Sequence, residues 1–109
     1  MNKVFKALAD PTRRHVLELL RRRPMLAGEL AEHFSVSKPT MSAHFAVLRE
    51  AGLVDAERHG KTILYRLKLS VLEDALLSFA RVFGFETKLD EASSLASDPT
   101  KTDPKKEQT

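Results

Sequence analysis

The sequence predicts a mainly α-helical fold that carries one small β-hairpin. Three observations lead to this prediction: short helical apolar periods bounded by turn residues, two helices joined by a tight turn within Leu26–Gly52, and an alternating apolar and polar pattern over Leu53–Lys68. The length of 109 residues, of which 42% are hydrophobic, suits a single core. We therefore expect one folded domain over residues 1–86 and a disordered polar tail over residues 87–109.

The first two helices are predicted from apolar spacing and capping residues. Asn2–Ala9 carries an apolar stripe at helical spacing. Asp10 is suited to the N-cap of a second helix and Pro11 to its first position, where the missing N–H has no intrahelical partner. This second helix runs from Pro11 to about Arg22. Its core-facing residues are expected to be Val16, Leu17 and Leu20.

The third and fourth helices form the central pair. A third helix is predicted from apolar residues spaced i, i+4 and i+8, namely Leu26, Leu30 and Phe34. Ser35-Val36-Ser37 makes the turn, Ser37 caps the fourth helix, and Gly52 follows its end. The fourth helix opens on small polar and basic residues. A helix-turn-helix of this kind places the start of its second helix in the major groove of DNA.

A two-stranded wing is predicted next. Leu53–Glu57 and Thr62–Lys68 have the alternation of strands, with a turn at Arg58–Lys61 in which Gly60 allows a positive φ. A last helix spans Ser70 to about Phe85. Its apolar set is broad and consists of Val71, Leu72, Ala75, Leu76, Phe79, Ala80 and Phe83. This surface indicates a partner, although it could instead cap the domain's own core.

Charge and cysteine content narrow the function. The net charge is +3, and residues 1–86 carry 14 Lys and Arg against 10 Asp and Glu, which is compatible with a phosphate-binding face. The absence of Cys excludes disulfides, thiolate metal sites and cysteine nucleophiles, and fits a reducing cytoplasm. No apolar run approaches the roughly 20 residues that span a bilayer, so we expect a cytoplasmic protein without membrane insertion.

Residues that open the fourth helix are the predicted base-contacting set. Lys38 can donate to guanine, the Ser37 and Thr40 hydroxyls can serve bases or phosphates, and Ala43 can meet a thymine methyl group. Ser42 and His44 lie between the core face and the groove face. Ser42 therefore has the alternative of satisfying backbone groups, and His44 that of packing against the wing.

Basic residues outside the fourth helix are secondary candidates. In the wing, contacts to phosphate or to the adjacent minor groove are predicted for Arg58, His59, Lys61 and Arg66. The alternative for these residues is a solvated hairpin tip. Arg13 and Arg14 are expected either to bind phosphate or to form ion pairs with Asp10 and Glu18, the second being favoured.

Three segments resemble the ArsR family of bacterial repressors in order and spacing: ALADPTRRHVLELL, ELAEHFSVSKPTMSAHFAVLREAGLV and RHGKTILYRL. The resemblance spans residues 2 to about 85, and the cysteine-free opening is most similar to the SdpR-type autorepressor branch. It implies a winged helix-turn-helix that forms a homodimer through its first and last helices and binds a palindromic operator in double-stranded DNA. The implied dimer residues are Val4, Phe5, Leu8, Leu72, Leu76, Phe79 and Phe83.

The sequence departs from the metal-sensing members of this family. They bind metals through cysteines in the third helix or through Asp and His on the last helix, and this chain has neither set. Glu29, Glu32 and His33 are more typical of a surface ion-pair face than of a ligand cluster. We therefore expect no metal and no cofactor. An inducer protein, a small molecule at the dimer interface and control by concentration alone all stay open.

Two other function classes compete with a DNA-binding repressor. A winged helix can serve as a protein-interaction module, but such a module has no need of a basic wing or a small polar opening to the fourth helix. An enzyme is disfavoured because the four histidines are scattered and no nucleophile motif or phosphate-binding glycine loop is present. A metal-responsive repressor is the remaining alternative.

Overall fold

The computed structural model describes residues 2–85, 88 and 91 of the chain. The predicted tail over 87–109 therefore lies, apart from positions 88 and 91, outside the described residues. The elements in chain order are α1 (Asn2–Leu8), α2 (Pro11–Arg22), β1 (Met25–Leu26), α3 (Ala27–Ala31), α4 (Lys38–Glu50), β2 (Val54–His59), β3 (Thr62–Leu67) and α5 (Leu69–Phe83). They belong to two compact units, one that ends at Glu73 and one that begins at Asp74. Every helix in the described ranges is too short or too polar to cross a membrane.

The predicted fold class is confirmed, with one addition to the sheet. β1 pairs antiparallel with β3, so that the sheet has three strands in the order β1-β3-β2. Two residues are too few to show an alternating pattern, and the strand forms because Met25 and Leu26 reach the other edge of β3. As a result Leu26 is extended and precedes α3, which ends at Ala31. The prediction of a helical Phe34 was therefore wrong.

The wing hairpin is tighter than predicted. The register runs from Val54 opposite Leu67 to His59 opposite Thr62. β2 thus includes two residues that were assigned to the turn, and only two residues connect the strands. Gly60 takes a φ of 62°, a conformation that a side chain would disfavour.

The core of the first unit is formed by the apolar faces of α2 and α4 and by the sheet. The faces predicted for both helices are confirmed, since Val16, Leu17, Leu20, Met41, Phe45 and Leu48 are all buried. The Phe45 ring lies 4.7 Å from the ring of Tyr65, centroid to centroid, and Tyr65 itself is buried in β3. Burial of one face of α4 leaves the opposite face directed to solvent.

The apolar surface of α5 is partly exposed. Ala75 and Ala80 are buried, whereas Leu76 is 40% exposed, Phe79 39% and Phe83 64%. The rings of Phe79 and Phe83 lie 4.8 Å apart. Large apolar side chains in a single chain thus stay in contact with water over several turns of this helix.

Asp10 fixes the start of α2. Its Oδ2 accepts a hydrogen bond of 3.1 Å from the Arg13 backbone N–H, as the capping pattern predicts. Burial by itself raises the pKa of this carboxyl group. The backbone N–H groups of Arg13 and Thr12, together with the electrostatic influence of the nearby His44 and Arg13 side chains, outweigh that effect and leave the pKa of Asp10 below its ordinary value.

Replacement of Asp10 by Asn should therefore change how stability depends on pH. Asn retains the capping acceptor and removes the charge, so D10N should lower the free energy of unfolding at neutral pH by at most about 1 kcal/mol. Because the pKa of Asp10 is lower in the folded state, the stability difference between wild type and D10N is complete above pH 3.8, the ordinary pKa of the group. The difference disappears as the pH falls through the lower folded-state pKa. Urea unfolding of both proteins between neutral and strongly acidic pH measures it.

D55N is the matched control, because it removes an exposed carboxylate from β2 and reports the effect of net charge alone. A difference between wild type and D10N that stays constant far below pH 3.8 would show that the charge of Asp10 does not stabilise the fold.

Candidate nucleic-acid interface

The start of α4 is held by a side-chain cap. Ser37 has an extended backbone, and its Oγ accepts a hydrogen bond of 3.2 Å from the Thr40 N–H. The same hydroxyl donates to Thr40 Oγ1 over 3.0 Å. The Ser37 hydroxyl is thus engaged by the helix itself, and the Thr40 hydroxyl hydrogen takes no part in this pair.

The first two turns of α4 expose mostly polar side chains. Lys38, Thr40, Ser42 and Ala43 are exposed, whereas Met41 between them is buried. The first turn contains no acidic residue. The positive end of the helix dipole and the Lys38 ammonium therefore act on the same region, and both favour an anionic partner.

His44 lies at the edge of this face and points toward α2. Its side chain is only 14% exposed, and Nδ1 lies 3.0 Å from Arg13 Nη1. Nε2 lies 3.9 Å from Asp10 Oδ2. Both ring nitrogens thus face residues at the start of α2 rather than the wing. We accordingly leave His44, a predicted DNA contact, out of the direct contacts proposed below.

Arg13 and Arg14 engage the end of α1. Arg13 donates from Nε to the Ala7 carbonyl and from Nη2 to the Lys6 carbonyl, both over 2.9 Å. Arg14 Nη1 donates to the Leu8 carbonyl over 2.7 Å. The last carbonyls of a helix have no intrahelical partner and carry partial negative charge, so two guanidinium groups stabilise this end. The partners of these side chains at hydrogen-bond distance are therefore backbone carbonyls of α1, while the Arg13 side chain also acts electrostatically on Asp10.

The predicted wing residues are all exposed, but they divide between two faces of the hairpin. Cross-strand partners share a face, so the register places Arg66, Glu57 and His59 on one face and Arg58 on the other. Glu57 lies 3.5 Å from Arg66 Nη2 and 3.3 Å from His59 Nε2. A carboxylate thus balances part of the positive charge on one face of the wing, which the sequence pattern did not indicate.

Glu29, Glu32 and His33, which were considered above as a ligand cluster, do not form a metal site. Glu29 Oε1 accepts from the Leu26 N–H over 2.9 Å, and Oε2 pairs with Arg23 Nη2 over 3.1 Å. The Arg23 guanidinium is the main reason that the pKa of Glu29 is lowered. The His33 ring lies instead 6.4 Å from that of His15. Over residues 2–85, 88 and 91 no three His, Asp or Glu side chains come together as a metal site would require.

Comparison with known proteins agrees with this arrangement. The family described as "Bacterial regulatory protein, arsR family" matches residues 10–56, from the cap of α2 into β2. The transcriptional repressor SdpR of Bacillus subtilis is 47% identical over 76 residues, which are 70% of this chain and 84% of that protein. A probable mercury resistance operon repressor of Streptomyces lividans is 41% identical over 61 residues, and the match spans about half of its length.

Solved structures agree as well. The crystal structure of an ArsR family transcriptional regulator, RHA00566, superimposes with a TM-score of 0.66 at 30% sequence identity. The match covers 76% of this chain and 89% of the other. Regulators with this fold bind DNA and are not enzymes, and the exposed start of α4 belongs to the matched segment. This chain is therefore a member of the ArsR family of bacterial DNA-binding transcriptional regulators.

Proposed function

We propose that this protein represses transcription as a homodimer that binds a palindromic operator in double-stranded DNA. The observation that carries the proposal is the exposed polar start of α4, on a helix whose other face is buried in the core. Relatives described as transcriptional repressors support repression rather than activation. Such a regulator acts on the chromosome, and we therefore assign it to the cytoplasm.

The base contacts are assigned to the exposed residues of α4. Lys38 donates to guanine acceptors, Thr40 donates its hydroxyl hydrogen, and Ala43 contacts a thymine methyl group. Ser42 faces solvent on the same side and reaches a base or a phosphate. Ser37 acts differently, because its hydroxyl caps the helix and thereby fixes the positions of Lys38 and Thr40.

The wing supplies contacts to the phosphate backbone or to the adjacent minor groove. Lys61 lies in the two-residue turn and Arg58 near the end of β2, whereas His59 and Arg66 share the face that also carries Glu57. Since Glu57 repels phosphate, we assign the larger share of backbone binding to Arg58 and Lys61. These contacts set affinity and register more than sequence preference.

The homodimer is assigned to α1 and α5 together, within a folded domain over residues 1–86. Support comes from the exposed apolar side chains of α5, which a monomer leaves in water, and from the small size of the core. In α1 Val4 is already buried in its own chain, so it has little surface for a partner. The proposed interface residues are Phe5, Leu8, Leu72, Leu76, Phe79 and Phe83. A two-fold protein then requires half-sites about 34–36 Å apart.

Selection from fragmented genomic DNA tests this function directly. Purified protein should enrich duplexes that share an inverted repeat, and light scattering should give twice the mass of the chain. Binding should persist in excess random competitor DNA. A monomer at working concentrations, or a protein that enriches no duplex at low salt, would refute the proposal.

Lys38→Ala tests the assignment of a base contact. Loss of a bidentate or single bond to guanine should weaken binding to the selected operator by roughly 1–3 kcal/mol and leave binding to random DNA almost unchanged. Fluorescence anisotropy on both duplexes measures the two affinities. An equal loss on operator and random DNA would instead assign Lys38 to a phosphate.

Lys61→Ala tests the wing. Removal of one phosphate contact should lower the slope of log affinity against log salt by about one unit. Lys68→Ala is the matched control, because Lys68 follows β3 at the end opposite to Lys61, about 20 Å away along the strand. Lys68→Ala should keep the wild-type slope. If Lys61→Ala keeps it too, Lys61 does not touch the DNA.

A further inference from the structure

We propose that Arg13 is a positioning residue for operator binding, which joins the end of α1 to α4 through His44 and fixes the orientation of α4 without touching DNA. This inference rests on the proposed function. It assigns a role in DNA recognition to a side chain outside the helix-turn-helix and the wing.

The guanidinium group of Arg13 has partners on two helices. Nε and Nη2 donate to the Ala7 and Lys6 carbonyls of α1, and Nη1 lies 3.0 Å from His44 Nδ1 on α4. A guanidinium has no acceptor atom, so Nδ1 must accept and the imidazole proton must lie on Nε2, facing Asp10 Oδ2. The rigid fork of one side chain therefore fixes three groups at once.

Apolar packing also joins these elements, and Arg13 adds a directional contact to it. α1 has only seven residues, and an isolated helix of that length is unstable in water. It packs on α2 and α4, where Val4 and Ala7 are buried. Apolar packing tolerates small rotations, whereas a hydrogen-bonded fork does not. Arg13 thus sets the angle of α4 relative to α1, and in the proposed dimer the distance between the two recognition helices follows from it.

Arg14 offers a matched comparison. It carries the same charge on the next position of α2, and it also caps α1, with Nη1 on the Leu8 carbonyl. Arg13 differs from it in the contact to His44 and in a second hydrogen bond to an α1 carbonyl. Substitution of either arginine by Met removes one positive charge and the hydrogen bonding of that side chain to the end of α1, which is two bonds for Arg13 and one for Arg14. Only the Arg13 variant also separates α1 from α4.

The first experiment compares R13M and R14M by fluorescence anisotropy, on a labelled duplex of the sequence that the wild-type protein enriches from genomic DNA. At protein concentrations that keep the dimer intact, R13M should bind about tenfold more weakly, as expected for loss of a charge-assisted hydrogen bond, and R14M less than about threefold more weakly. The salt slope of R13M should equal that of wild type. A phosphate contact would lower it by about one unit.

The second experiment varies the other partner. Asn places an oxygen close to the position of His44 Nδ1, so H44N should retain affinity within about threefold, whereas H44L should lose as much as R13M. The double variant R13M/H44L should bind no more weakly than either single variant, because both remove the same interaction. If R13M does not fold by circular dichroism, R13K replaces it, since Lys cannot supply the three-way fork.

Failure of the role of Arg13 can be distinguished from failure of the proposed function. Equal affinities for R13M and R14M, a lower salt slope in R13M, or additive losses in the double variant would each overturn the role of Arg13. If the wild-type protein enriches no duplex at all, the proposed function has failed before Arg13 is tested.

Discussion

The burial of one face of α4 is the constraint on which the rest of this structure depends. Phe45 packs against the Tyr65 ring of β3, and Leu48 is fully buried beside it. Because a helix turns by 100° per residue, fixing this face also fixes which side chains point outward. The polar residues at the start of the helix therefore have a defined direction without contacts of their own to the core. Ordinary apolar packing thus presents the surface that is proposed to contact DNA.

Hydrogen bonds at helix ends refine what the core establishes. Ser37 caps the start of α4 and Asp10 caps the start of α2, while Arg13 and Arg14 donate hydrogen bonds to the last carbonyls of α1. Each bond contributes little stability, but each acts at a junction between elements. The residues around Asp10, Arg13 and His44 form a single polar group where α1, α2 and α4 approach one another. α4 is thus held both by apolar contacts on its buried face and by polar contacts at His44.

The sheet connects the wing to the same core. β3 is paired on both edges, by β1 and by β2, and Tyr65 in its centre is buried. The tip of the hairpin extends beyond these pairs and carries exposed basic residues. Glu57 offsets part of the positive charge on one face of this tip, so the two faces of the wing differ in net charge. The exposed start of α4 and the hairpin tip consequently both extend outward from one packed centre.

The sequence by itself determined α1, α2, α4, α5, the caps of α2 and α4 and the wing, because apolar periodicity and residues such as Asp10, Ser37 and Gly60 act locally. It also determined which residues of α4 are exposed. Only the tertiary structure decided the two-residue strand β1, the partners of Arg13 and the inward direction of His44. These features depend on groups distant in the chain: Leu64 and Tyr65 for β1, and Arg13, thirty-one positions away, for His44. A long polar side chain selects whichever partner folding brings within reach, and no local pattern encodes that choice.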